Sequence, residues 1–130
     1  MNLYAKLLER EAAGKPVRVA LIGAGKFGTM FLSQARLTRG MQVAGGADLD
    51  PARARSQLKT AGWPEEQYAA RSLDDALKSG GLHVTDNARA LIDHPGIDVV
   101  VEATGVPGAG IAHALAAIAS GKHIVMVNVE

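Results

Sequence analysis

The sequence contains no cysteine, carries a formal net charge of only +1 and has no apolar run of membrane-spanning length. The absence of cysteine excludes disulfides, thiolate metal ligands and a cysteine nucleophile, and it favours a reducing compartment. A nearly neutral chain offers no electrostatic footprint for nucleic acid or for an anionic membrane. The longest apolar stretches, such as 111–119, fall far short of the roughly 20 residues of a spanning helix, and the N-terminus shows no signal-peptide pattern. We therefore expect a cytoplasmic protein that binds neither membrane nor nucleic acid.

Apolar, β-branched segments alternate along the chain with segments of helical periodicity. The predicted strands are 17–22, 41–47, 82–85, 98–103 and 123–127, and the predicted helices include 29–39, a helix from 51, a short helix after 72, 87–93 and 109–120. Because parallel strands need a crossover helix between them, this order predicts an α/β fold of the Rossmann type, with a doubly wound and mainly parallel sheet.

A helix capped by Asn2 and ended near Gly14 precedes the first strand. The sequence therefore divides into an N-terminal helical extension at 1–16 and a Rossmann-type domain at 17–130. The apolar face of the extension could pack on the sheet or on a second subunit, so a homo-oligomer remains open.

A glycine-rich turn follows the first strand and opens a helix, with the sequence Gly23-Ala24-Gly25-Lys26-Phe27-Gly28. In this context Gly-x-Gly-x-x-Gly predicts a dinucleotide site, because the backbone approaches the pyrophosphate closely and the helix N-terminus attracts an anion. We expect the backbone amides from Ala24 to Phe27 to hold the pyrophosphate. The Lys26 side chain is expected in solvent and the Phe27 ring in the core. The alternative is that the glycines only form a turn.

Asp48 ends the second strand, roughly 20 residues after the last glycine, where a carboxylate accepts both hydroxyls of the adenine ribose. Its charge would repel a 2′-phosphate, which favours NAD over NADP. Arg53 and Arg55 follow closely, and either could reach a 2′-phosphate, so NADP stays open.

The exit of the fourth strand, Ala103-Thr104-Gly105, is the second candidate segment, because ligands of doubly wound sheets bind beyond the carboxyl ends of the strands. With Asn128 it is expected to flank the nicotinamide side of the cofactor. The four histidines show no metal-ligand spacing and no nucleophile motif. We therefore predict a cofactor-binding half without catalytic or metal-binding residues of its own.

Three segments carry a resemblance to a known family: 19–25, 100–105 and 121–130. Together they resemble the NAD-binding domain of homoserine dehydrogenase-type oxidoreductases. Along its whole length the chain is similar to the N-terminal domain of reductoisomerase-like proteins that act on 1-deoxyxylulose 5-phosphate, also described as homoserine dehydrogenase-like proteins with a SAF domain.

The resemblance implies an NAD(P)-dependent oxidoreductase of several hundred residues, of which this chain is the first part. It also implies NADPH and a divalent metal held by carboxylates in a downstream domain that meets the small-molecule substrate, a sugar phosphate or polyol. Homoserine dehydrogenases carry a catalytic lysine in Ala-Asn-Lys after the last strand, whereas this chain has Asn128-Val129. This departure argues against plain homoserine dehydrogenase activity, and we expect the 130-residue chain alone to bind dinucleotide without turnover.

Two other functions fit the same sequence. A regulatory Rossmann module would use the same pocket to sense the NADH/NAD ratio and control a partner. A structural Rossmann relic would bind nothing, and a thermal-shift assay with NADH distinguishes it from the other two.

Overall fold

The computed structural model describes residues 2–127. The strands are β1 (Val17–Ile22), β2 (Met41–Ala47), β3 (His83–Thr85), β4 (Val99–Glu102) and β5 (His123–Met126), and the helices are α1 (Leu3–Ala12), α2 (Lys26–Ala35), α3 (Pro51–Thr60), α4 (Leu73–Ser79), α5 (Ala88–Asp93) and α6 (Pro107–Ala119), with a 3-10 turn at Glu65–Tyr68.

The five strands form one parallel sheet in the order β3-β2-β1-β4-β5. Ile22 at the end of β1 pairs with Ala47 of β2 on one side and with Glu102 of β4 on the other, so these strands end at the same edge. The chain builds outward from β1 to β3 and then returns to the other side of β1 with β4. The prediction of a Rossmann-type α/β fold is confirmed, and the reversal between β1 and β4 is the switch point at which such sheets bind ligands.

Two apolar layers cover the two faces of the sheet. One layer joins alternate β1 residues such as Leu21 to Leu32 of α2 and Leu58 of α3. The other joins Ile22 to the helices on the opposite face, including Ile92 of α5. Alternate side chains of a strand point to opposite faces, so a strand that is apolar at every position must be covered on both.

Two helices begin earlier than the sequence suggests. The second helix starts at Lys26 instead of residue 29, because Gly25 is extended and already serves as the N-cap. It ends at Ala35 instead of residue 39. The last helix starts at Pro107 instead of residue 109, since proline at the first helical position needs no hydrogen-bond acceptor for its nitrogen.

The apolar stripe of α6 does not face the sheet. Ile111, Leu115 and Ile118 are 62%, 62% and 65% exposed, while Ala116 and Ala117 are buried against the strands. Small residues let this helix approach the sheet closely, and its larger side chains therefore point outward.

Helix α1 lies against the turn between α2 and β2, and none of its residues is fully buried. Glu11 fixes it there: its carboxylate accepts hydrogen bonds from Arg39 Nε at 3.0 Å and from the Gly40 amide at 2.9 Å. The hydrogen bond from Arg39 lowers the pKa of the Glu11 carboxyl below its ordinary value. A carboxyl whose pKa is lowered by folding stabilises the folded state above its unfolded pKa, and the contribution is lost as pH falls through the lowered value.

We expect Glu11→Gln to loosen α1 at pH 7 without disturbing the sheet, because the amide cannot form the ion pair. Hydrogen exchange should become faster in residues 3–12 and stay unchanged in the strands. Glu9→Gln on the same helix, where the side chain is exposed, is the control and should exchange like the wild type. Identical exchange in both variants would show that Glu11 does not hold the helix.

Candidate functional site

A cleft of about 900 Å³ opens at the carboxyl edge of the sheet, at the switch point between β1 and β4. Its walls are the β1–α2 turn, the end of β2 with the start of α3, residues 86–89 ahead of and within α5, and the β4–α6 loop. A second hollow, of about 640 Å³, lies around Lys122 at the opposite edge and contains no part of the glycine motif.

Gly23 joins the ends of three strands at the floor of this cleft. Its φ is +101°, and a Cβ there would lie 2.6 Å from the Ala103 carbonyl oxygen. Its amide donates to the Ala47 carbonyl at 2.7 Å. At Gly28 a Cβ would lie 2.7 Å from the Gly23 carbonyl oxygen, so the absence of a side chain lets α2 pack directly on the turn. Both glycines are required by the fold.

Gly25 differs from these two glycines. A Cβ at this position would have no atom within 4 Å, and its φ of −78° is available to any residue. Gly25 lines the cleft, and within residues 2–127 the amides of 25–28 have no hydrogen-bond acceptor. Free amides at a helix N-terminus carry partial positive charge and bind anions. The fold therefore leaves this position open toward the cleft, where a side chain would occupy ligand space.

The Asp48 carboxylate lies beside this turn at the edge of the cleft, and its side chain is only 8% exposed. One oxygen accepts from the Ala24 amide at 3.4 Å and the other from the Asp50 amide at 3.2 Å. Arg53 of α3 reaches back and forms an ion pair with the first oxygen at 3.1 Å. The carboxylate is thus oriented by the backbone, with a half-exposed guanidinium beside it.

The β4–α6 loop forms the wall opposite Asp48. The Ala103 amide donates to the Ile22 carbonyl at 2.8 Å, which continues the pairing of β4 with β1. Thr104 donates to Glu102 from both its amide, at 2.9 Å, and its hydroxyl, at 2.5 Å. Ala103 and Thr104 line the cleft, whereas Gly105, with φ of +70°, is exposed and does not.

The structure brings some of the predicted site residues into the cleft and leaves others outside its lining. Those that line it are Gly23, Gly25, Asp48, Ala103 and Thr104. Those that do not are Ala24, Lys26, Phe27, Gly28 and Gly105. Asn128 lies outside the described residues.

Two side-chain expectations for the glycine turn have different outcomes. Lys26 is exposed, as expected. The expectation of a core position for Phe27 is wrong: it is 40% exposed and stacks on Phe31, with ring centroids 6.3 Å apart. Phe27 is in the first turn of α2, at the edge of the sheet, where no second layer covers it.

Sequence reasoning missed two parts of the cleft. Residues 86–89 line it because α5 begins there, just beyond the carboxyl end of β3. The second is His113 of α6, whose Nδ1 contacts the buried carboxylate of Glu102. A charged residue ending an otherwise apolar strand was the available signal for this pair.

In the part of the chain that the structure describes, no three histidine, cysteine or acidic side chains group as metal ligands. Across residues 2–127, no helix has the length and apolarity that a membrane crossing requires.

The glycine turn, the free amides and the oriented carboxylate at a switch point define a dinucleotide-binding Rossmann domain. Gly25 leaves room for a pyrophosphate. Asp48 presents its carboxylate at the end of β2, where an acidic residue binds the adenine ribose, so the residues fit NAD(P). The sequence profile of the Gfo/Idh/MocA oxidoreductase family, with an NAD-binding Rossmann fold, matches residues 17–126. The chain belongs to this family of NAD(P)-binding oxidoreductases.

Solved structures with the same fold include two with bound cofactor. Myo-inositol dehydrogenase from Lactobacillus casei, in complex with NAD(H) and myo-inositol, is 21% identical with a TM-score of 0.63, over 85% of this chain and 28% of its own. Biliverdin reductase from Synechocystis, in complex with biliverdin and NADP⁺, is 26% identical with a TM-score of 0.64, over 86% of this chain and 29% of its own. This chain therefore spans less than a third of the length of these proteins, and no curated protein sequence matches it.

Proposed function

We propose that the whole protein is an oxidoreductase that transfers hydride between NAD(P) and a small hydroxy or carbonyl substrate, and that 17–130 is its cofactor domain. The observation that carries the proposal is the meeting of the Gly23–Gly28 turn with Asp48 in one cleft at the switch point. The nicotinamide ring, when bound, accepts or donates the hydride. The residues of this chain bind and orient the cofactor.

We assign the following roles. Amides 25–28 bind the pyrophosphate; the Ala24 amide, which the sequence groups with them, donates to Asp48 instead. Asp48 accepts the hydroxyls of the adenine ribose. Thr104 and Gly105, with Asn128 beyond the described residues, flank the nicotinamide side. The hydrogen bond from the Ala24 amide orients the Asp48 carboxylate.

We propose a polyol or a related hydroxylated molecule as substrate. Two likenesses suggest this class: the resemblance to reductoisomerase-like proteins and the myo-inositol complex of a solved structure with the same fold. This chain spans less than a third of the length of the two solved relatives, so we expect residues 1–130 to bind dinucleotide without turning over substrate. Measurable turnover of any polyol by this chain would contradict that division of roles.

We propose NAD as the preferred cofactor, with Arg53 as the residue that admits NADP. In the structure Arg53 neutralises part of the Asp48 charge, and its side chain is 55% exposed and able to move toward a 2′-phosphate. Isothermal titration should show tighter binding of NADH than of NADPH. Tenfold tighter binding of NADPH would contradict the preference.

Replacing Arg53 with alanine should weaken NADPH binding about tenfold, because hydrogen bonds to charged groups contribute roughly 1.5–3 kcal/mol. NADH binding should change much less. Arg55→Ala is the matched control, since Arg55 is exposed on the same helix and does not line the cleft. Equal losses of NADH and NADPH affinity in the Arg53 variant would show that it does not select the cofactor.

A further inference from the structure

Glu102 is the one charged or polar residue that is buried among residues 2–127, and its exposure is 0%. It ends β4 directly beneath the cofactor cleft. A buried carboxylate is stable only when its oxygens accept hydrogen bonds or face a cation. Its partners therefore show what the fold uses it for.

The two carboxylate oxygens of Glu102 have different partners. Oε1 accepts both hydrogen bonds from Thr104, and Oε2 faces Nδ1 of His113. The first contact shapes the β4–α6 loop, and the second fixes an imidazole on α6. Because Oε2 is an acceptor, it places the proton of the neutral imidazole on Nδ1.

The His113 ring connects this carboxylate to the cleft. It lines the cleft, its side chain is 20% exposed, and its other nitrogen, Nε2, has no hydrogen-bond partner within residues 2–127. The other three histidines do not line the cleft. With the proton held on Nδ1, Nε2 of the neutral ring is a hydrogen-bond acceptor, so it suits a ligand group that donates.

The wall around His113 favours a flat base. Ala109 and the exposed side chain of Val106 give apolar surface on the α6 side of the cleft, and the exposed side chain of Leu49 does so on the Asp48 side. The two sides are continuous, and Asp48 takes the ribose hydroxyls of the adenosine half. The donor that remains on that half is the exocyclic amine of the adenine ring. The other charged side chains of the cleft are Asp50 and Arg53 next to Asp48, and Asp86 and Arg89 at the start of α5.

We propose that His113 is a base-recognition residue: its Nε2 accepts a hydrogen bond from the exocyclic amine of adenine, and Glu102 is the positioning residue that fixes the ring and its proton. This inference rests on the proposed cofactor site and extends it to selection of the base. Hypoxanthine has a carbonyl oxygen in place of that amine, and two acceptors would then face each other. A site built to bond one polar group rejects an analogue that lacks it.

The first test compares NADH with reduced nicotinamide hypoxanthine dinucleotide on the wild-type chain at pH 8. Isothermal titration should give about tenfold weaker binding of the hypoxanthine analogue. The ¹⁵N resonance of His113 Nε2, assigned with a His113→Gln variant, should move on addition of NADH, and that of His94 should not. Equal affinities, or a His113 resonance that does not move, would overturn the inference.

The second test uses Glu102→Gln, which keeps the size of the side chain. If its oxygen still accepts from Thr104, the new NH₂ group donates to Nδ1 and moves the imidazole proton to Nε2. Nε2 then donates, and the preference should reverse in favour of the hypoxanthine dinucleotide. An unchanged preference in a folded variant would contradict the positioning role. A wild-type chain that binds neither dinucleotide contradicts the cofactor site as well, whereas equal binding of the two contradicts only the role of His113.

Discussion

Replacement of Gly25 by valine should abolish stabilisation by NADH while leaving the chain folded. A Cβ there would have no atom within 4 Å, and the backbone has an ordinary φ, so we expect the fold to tolerate the substitution. The new side chain would instead occupy the space beside the free amides at the start of α2. At 100 times its dissociation constant, NADH should stabilise the wild-type chain by about 2.7 kcal/mol, and this gain should disappear in the variant.

The control for this variant is Gly108→Val. A Cβ added at Gly108 would also have no atom within 4 Å, and the φ of Gly108 lies outside the left-handed region, but this residue does not line the cleft. Thermal unfolding with and without NADH should therefore show a full shift for Gly108→Val and none for Gly25→Val. A full shift in both would place the dinucleotide elsewhere.

Replacement of Gly23 by alanine should instead destabilise the fold itself. Its φ of +101° is strained for any residue with a side chain, and the Cβ would collide with the backbone of residue 103. Strain of this kind and overpacking each cost about 1–3 kcal/mol, so a loss of roughly 3 kcal/mol in the free energy of unfolding is expected.

Urea denaturation measures this loss. Gly25→Ala is the matched control from the same turn, and its free energy of unfolding should stay within about 0.5 kcal/mol of the wild type. Equal stabilities of the two variants would show that the turn relaxes to admit a side chain at Gly23. The contrast between the two positions separates the glycine that the fold needs from the glycine that the ligand needs.

The parallel arrangement can be predicted from sequence because the central strands β1, β2 and β4 are mostly apolar and buried. Glycine, proline and asparagine mark the ends of the elements between them. The sequence places the start of α2 three residues late, because Lys26 and Phe27 resemble part of the turn when they already form the first helical residues. The glycine motif itself places the helix only approximately.

The site is predictable where one motif contains the whole signal, as in the Gly23–Gly28 turn with Asp48. The Glu102–His113 pair cannot be predicted in the same way, since its partners belong to different elements and meet only when α6 packs on β4. The outward face of α6 escapes prediction for a related reason. Its alanines, not its larger apolar residues, make the contact with the sheet.

The resemblance to homoserine dehydrogenase-type and reductoisomerase-like proteins indicates the right class, an NAD(P)-binding oxidoreductase domain. The finer membership it suggests stays a proposal. The substrate of the whole protein stays a proposal as well.

The central claim is that the dinucleotide binds in the cleft at the switch point, on the amides that open α2. Titration of the ¹⁵N-labelled chain with NADH, followed through its backbone amide resonances, tests this most directly. The resonances of residues 25–28 should show the largest shifts, with smaller shifts at 48–50 and 103–104 and none around Lys122. Shifts concentrated around Lys122, or no shifts at millimolar NADH, would contradict the account.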